Sequence, residues 1–201
     1  MRFIGFAILG LLALVLIWAF TGINKIPSQE EVAKATWAQV LNQYQRRADL
    51  VPNLVATVKG AADFEKSTLE AVVQARAKVG TMQLPADLLT NPEAMRAFES
   101  NQGALTSALS RLMVVVEKYP DLKATDGFQT LQSQLEGTEN RIAVARRDYI
   151  DAVRIYNTEL KTFPGVLWKT FLYSDREPMQ QLQVEPAKQE VPTVDFGTSG
   201  N

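Results

Sequence analysis

The chain has no cysteine and no histidine in 201 residues. The first absence excludes a disulfide framework and a thiol nucleophile, and it is compatible with either side of a membrane. The second removes the commonest metal ligand and general base, and with them serine-histidine triads and histidine-containing zinc sites. An excess of one charge is lacking too. With 21 basic and 22 acidic residues the net charge is -1, so no field recruits nucleic acid or acidic substrates. No alternating pattern longer than a few residues predicts a strand, although VPTVDF at 191–196 could add as one strand to a partner. Phosphate-binding glycine loops, dinucleotide fingerprints and metal motifs are missing, and Gly60, Gly103 and Gly137 sit inside helical patterns. No cofactor is implied.

What the chain does have is apolar sequence, 46% of its residues, in a length that suits about one domain. Phe3 to Phe20, FIGFAILGLLALVLIWAF, is uninterrupted and close to the ~20 residues that cross ~30 Å of hydrocarbon as a helix. Thr21, Gly22 and Ile23 make a poor processing site, so residues 1–22 read as a retained transmembrane anchor and not as a signal peptide. Arg2 precedes the span while Lys25 and Lys34 follow it, a balance that tilts the remaining domain only slightly toward the cytoplasm.

Residues 23–27 form a hinge with Asn24 and Pro27, and Ser28 with Glu31 makes a capping box for a first long helix. Trp37, Val40, Leu41, Tyr44, Ala48, Val51, Leu54, Val55, Val58 and Ala62 recur at spacings of three and four, and Leu69, Val72, Val73 and Val79 continue the stripe to Gly80. Pro52 removes a donor and crowds the carbonyl of Ala48, so a kink or local break is expected near Val51. Asn91 and Pro92 open a second helix that stops at Tyr119 and Pro120. Asp126 with Gln129 can cap a third, ending at Phe163, Pro164 and Gly165. A short apolar piece, VLWKTFL, follows at 166–172. The predicted architecture is all-α: an N-terminal transmembrane helix, then an antiparallel bundle of three long helices over 28–173. The proline- and glutamine-rich stretch 174–201 reads as a flexible, disordered tail.

Two basic pairs, Arg46-Arg47 and Arg146-Arg147, raise the question of phosphate or nucleic acid. With a balanced charge they are better explained as structural. The Arg47 stem can cover apolar surface, and its guanidinium can pair with a carboxylate of the third helix; the alternative is a recognition site. Tyr44, Tyr149, Tyr156, Trp37 and Trp168 read as core and rim. Glu65, Glu70, Glu136 and Glu139 could build a carboxylate metal site only without its usual Glu-x-x-His partner, which argues against one.

The stretch QYQRRADLVPNLV at 43–55, with Trp37 before it and VKG at 58–60 and ARAKV at 75–79 after it, resembles the hallmark of the LemA family. LMVVVEKYPDLKA at 112–124, the segment holding Glu139, Arg141 and Arg146, and YNTELKTFPG at 156–165 are similar as well. Ile23 to Pro27 departs from the Tyr-Asn step often found at this point. The resemblance implies a helical domain tethered to a bacterial inner membrane, no established enzymatic activity, and links to membrane organisation and to neighbouring membrane proteases.

The expected role is therefore a scaffold or adaptor for other membrane proteins, not an enzyme. The alternatives are an accessory subunit of a membrane protease and an enzyme working with carboxylates alone. Self-association is expected from lengths. A continuous first helix of ~80 Å would outrun partners of ~40 and ~54 Å, leaving Trp37, Val40, Leu41 and Tyr44 bare near the membrane. The candidate interaction residues are those four with Arg46, Arg47, Asp49, Pro52 and Asn53; the bilayer is met through Phe3 to Phe20, and no nucleic acid is expected.

Overall fold

From Ile26 to Val58 nearly every third or fourth residue is buried, which is the face of one long helix, α1 (Lys25–Lys59). The computed structural model describes residues 10, 22–60, 64–82 and 84–183. Within them α1 is followed by α2 (Lys66–Gly80), α3 (Pro92–Val116), the single turn α4 (Pro120–Lys123), α5 (Asp126–Lys161) and α6 (Gly165–Phe171). The fold is all-α, and no strand occurs among the described residues. The anchor segment lies outside the described residues apart from residues 10 and 22, as does VPTVDF. Among the described residues no helix is long and apolar enough to cross a membrane.

The expected first helix is two helices. It does not break at Pro52, which lies inside α1, but after Gly60, and the chain re-enters helix at Lys66 with Glu65 extended. Pro52 is tolerated because it is exposed and because the carbonyl it deprives of an amide, that of Ala48, receives the Nε of Arg76 from α2 at 3.5 Å. Lys66 follows closely on the end of α1 while Arg76 reaches back to Ala48, so α2 runs back along α1. Phe64 seats against Tyr119, ring centroids 5.0 Å apart.

This reversal changes the bundle from three long helices to an up-down-up-down arrangement of α1, α2, α3 and α5. Contacts fix the directions. Trp37 meets Phe98 while Arg47 reaches Thr106, so α1 and α3 are parallel. Trp37 meets Tyr149 while Arg47 reaches Glu139, so α5 is antiparallel to both. The most extensive helix pairing is that of α1 with α5. They have 35 and 36 residues, matched at about 52 to 54 Å by the 1.5 Å rise per residue. Small buried residues, Ala33 and Ala48 on one and Ala145 and Ala152 on the other, permit close approach.

The stripe expected to lie bare is thus covered by the chain itself. Val40 is fully buried, and Trp37 and Tyr44 nearly so, in a cluster with Met95 and Phe98 of α3 and Tyr149, Val153 and Tyr156 of α5. The length argument for self-association rested on an unbroken first helix and loses its premise. A second cluster fills the other end, where Val51, Leu54 and Val58 meet Val72 of α2, Leu105, Leu109 and Leu112 of α3, and Phe128 of α5.

Helix ends follow local chemistry, with two corrections. Asn91 caps α3 as its sequence predicts, its Oδ1 accepting from the amides of Glu93 and Ala94 at 3.0 and 3.2 Å, with Pro92 in the first turn. At α1, however, helix begins three residues ahead of the expected Ser28 cap, and the Ser28 amide already donates to the Asn24 carbonyl. Pro27 fits because a first-turn residue needs no donor. At α5 the cap is Thr125, whose hydroxyl accepts from Phe128, and not Asp126.

The largest departure is at the C-terminal side. Residues 174–183, read as part of a disordered tail, form a strap along α5 and α3. Met179 and Leu182 are buried in the first cluster. Asn157 brackets Met179, accepting from its amide at 2.9 Å and donating to its carbonyl at 2.8 Å. Tyr156 and Tyr149 donate to the carbonyls of Glu177 and Gln180 at 3.2 and 2.8 Å, and the Gln180 amide donates to Leu89 at 2.6 Å. Two apolar anchors and a ladder of side-chain bonds offset the entropy that composition alone suggested would win.

Candidate functional site

Between the two apolar clusters lies a polar layer built around Arg47. Its position on α1, three residues after Tyr44 and one before Ala48, turns it inward, and only 1% of it is exposed. A buried guanidinium is costly unless its donors are met. Here Nη1 donates to Glu139 Oε1 of α5 at 2.9 Å and to the Thr106 hydroxyl at 2.7 Å. Nη2 donates to the Gln102 side chain and carbonyl at 2.7 and 3.2 Å. The group also stands 5.0 Å from the centre of the Tyr44 ring, within the range of an attractive cation-π contact. Only Nε has no acceptor among the described residues.

A second arginine extends the layer to the strap. Arg146 donates to the Tyr44 hydroxyl at 2.8 Å and to the Gln183 carbonyl at 2.6 Å, and its Nη2 lies 3.5 Å from Glu99 Oε1. That same carboxylate oxygen accepts from the Gln183 amide at 2.8 Å. One network therefore ties α1, α3, α5 and the strap. Around it opens a cleft of about 420 Å³, with Arg47, Arg146, Arg147, Glu139 and Asp151 on its walls. Three cations face two carboxylates there, and two of the three are already engaged, Arg47 by Glu139 and Arg146 by Glu99. Among the described residues no three acidic side chains come together to hold a metal ion.

The residues singled out in the sequence separate into two sets. Trp37, Val40, Tyr44 and Arg47 are interior, and Leu41 is packed against the first cluster. Arg46, Asp49, Pro52 and Asn53 are exposed on the outer side of α1, where Asp49 accepts from Gln45 at 2.8 Å. The pairing of Arg47 with a third-helix carboxylate is as expected, and the partner is Glu139. Glu99, Gln102 and Thr106 were not singled out in the sequence. They are polar residues on an otherwise apolar helix face, spaced three and four apart, and that spacing was the available clue. Glu30 was likewise missed. It is buried and pairs with Lys34 at 2.7 Å and Arg176 at 2.8 Å, and the hydrogen bond that Lys34 donates to it raises the Lys34 pKa.

The profile of the LemA family matches residues 36–196, most of the chain and all of this network. Magnetosome protein MamQ of Magnetospirillum gryphiswaldense is 28% identical over 160 residues, covering 70% of this chain and 58% of that protein. Protein LemA of Metamycoplasma hominis is 26% identical over 135 residues, 67% of this chain and 57% of its own length. Magnetosome protein MamQ 2 of Paramagnetospirillum magneticum is 38% identical over 69 residues, 34% of this chain and 25% of that protein. The chain thus spans less than two thirds of the relatives it matches. With a family profile running through α1, the four-helix bundle and the strap, the chain belongs to the LemA family.

Proposed function

We propose that the chain is a single-pass scaffold of a bacterial membrane, tethered through Phe3 to Phe20, whose outer α1 face holds other membrane proteins. The observation that supports this is the contrast between neighbours on α1. Arg47 is spent on internal bonds that fix the bundle, whereas Arg46, Asp49, Pro52 and Asn53 stand exposed on the same rigid helix. Polar residues presented by an element that cannot yield are suited to recognition. Glu139, a candidate for carboxylate chemistry, is engaged by Arg47, which suits a structural counter-ion better than a proton carrier. Relatives named as magnetosome proteins agree with a membrane setting.

The test is site-specific photocrosslinking in cells with a probe at Arg46, Asp49 or Asn53 and a control probe at exposed Val114. Discrete adducts with membrane proteins from the α1 face, absent at Val114, are expected; a protease among them would make the chain its accessory subunit. Equal or absent adducts at both places would overturn the proposal. So would turnover in a broad activity screen that is lost with Glu139→Gln.

A further inference from the structure

Eleven large apolar side chains are exposed among the described residues, and five of them, Phe163, Val166, Leu167, Phe171 and Leu172, fall within ten positions of α6 and its flanks. The other six are scattered over the bundle. Phe171 is 77% exposed and Phe163 68%. Such a concentration on an otherwise polar surface marks a contact with something apolar.

Its place in the fold indicates what that is. Gly165 lets α6 fold tightly back on the end of α5, since a Cβ there would run into the carbonyl of Glu159. The turn brings Trp168 against the first residues of the bundle, where a Cβ on Gly22 would lie 2.9 Å from the indole Nε1. Gly22 is also where the apolar run of Phe3 to Phe20 has just ended. The patch therefore flanks the point at which a spanning segment hands over to the domain. Trp168 and Tyr173 are half-buried beside it, and amphipathic aromatic side chains of this kind favour the boundary between headgroups and acyl chains. The flanking charges are mixed, Lys161, Lys169 and Arg176 against Glu159, Asp175 and Glu177, and Arg176 is already paired with Glu30. A polybasic attraction to anionic lipid is thus absent from the design, and the apolar surface carries the contact.

We infer that Phe163, Val166, Leu167, Phe171 and Leu172 form a second membrane contact, dipping into the interfacial layer of the same bilayer that holds the anchor and fixing the tilt of the bundle on it. This rests on the anchored reading above. The occupant is lipid, and neutral phosphatidylcholine suffices.

The cysteine-free sequence allows a direct test with the full chain. Single variants Phe171→Cys, Val114→Cys and Ala13→Cys, each carrying an environment-sensitive fluorophore, are reconstituted in phosphatidylcholine vesicles with lipid-borne nitroxide quenchers. Quenching severalfold stronger at 171 than at 114, together with quenching at 13, is the expected result, and it should persist unchanged when anionic lipid is added. Quenching at 13 without quenching at 171 overturns the second contact and leaves the anchor standing. A label at 13 that escapes quenching overturns both. An unquenched 171 that instead crosslinks into a dimer, or is shielded from aqueous iodide by another protein, assigns the patch to that partner and overturns the inference.

Discussion

Arg76 of α2 donates from Nε to the backbone carbonyl of Ala48 on α1, 3.5 Å away. That carbonyl lies four residues before Pro52, so it is the one acceptor in α1 that the proline leaves without its helical amide. A side chain from the next helix thus repairs a defect built into the first. The contact is long and part-exposed, and a net hydrogen bond of this type is worth about 0.5–1.5 kcal/mol.

A double-mutant cycle measures the repair. Arg76→Ala should lower unfolding free energy by about 1 kcal/mol in the parent, within the range of a single net hydrogen bond. In a Pro52→Ala background, where residue 52 supplies its own amide, the same change should cost close to nothing. Equal losses in both backgrounds, read by urea unfolding, would show that Arg76 acts elsewhere.

Arg47 should be the most costly polar residue to truncate. Arg47→Ala removes the hub, strands the buried Gln102 and opens a cavity, and a large-to-small change at a buried site typically costs about 2–5 kcal/mol. Glu139→Gln should cost less, because the Glu139 side chain is 42% exposed and water can replace it. Arg47→Met should be milder than Arg47→Ala, since it keeps the apolar stem without a buried charge. Denaturant midpoints for the three variants check the order; a loss with Glu139→Gln as large as with Arg47→Ala would refute it.

Alkaline pH should loosen the strap. Burial pushes the Tyr156 hydroxyl up to about 12 and raises the Tyr149 pKa further, and both hydroxyls donate to strap carbonyls. Because the folded values are raised, the unfolded chain loses these protons first. Their contribution is complete below the ordinary tyrosine value of about 10 and is lost as pH rises above it. Melting temperature should therefore fall from pH ~10 upward, and less steeply in Tyr156→Phe. Limited proteolysis near Gln181 should accelerate over the same window. A melting curve whose alkaline fall is the same in Tyr156→Phe would remove Tyr156 from the explanation.

Much of this fold was legible because its helices announce themselves. Asn91-Pro92 is a start signal with a single structural meaning, and the stripes of α3 and α5 keep their period throughout. The break after Gly60 was not legible, because Val58, Ala62, Leu69 and Val72 maintain helical spacing across it, and the reversal shows only in tertiary pairings such as Arg76 with Ala48 and Phe64 with Tyr119. The strap was hidden by composition, since Met179 and Leu182 are two anchors in a polar, proline-containing stretch. In the polar layer, Arg47 with a carboxylate of α5 could be anticipated from one helix face meeting another. Arg146 with Tyr44 and Gln183 could not, because it depends on where three separate elements come to rest.

The layer around Arg47 also governs register. Apolar stripes on α1 and α5 offer similar contacts after a slide of one helical turn, about 5.4 Å, and grease alone discriminates poorly between such alignments. A shift of that size would carry Glu139 out of reach of the guanidinium and leave a charge unpaired between two oily halves. The arginine thus works as a detent: the helices have one position in which they can come to rest, and a slipped bundle is penalised at its midpoint.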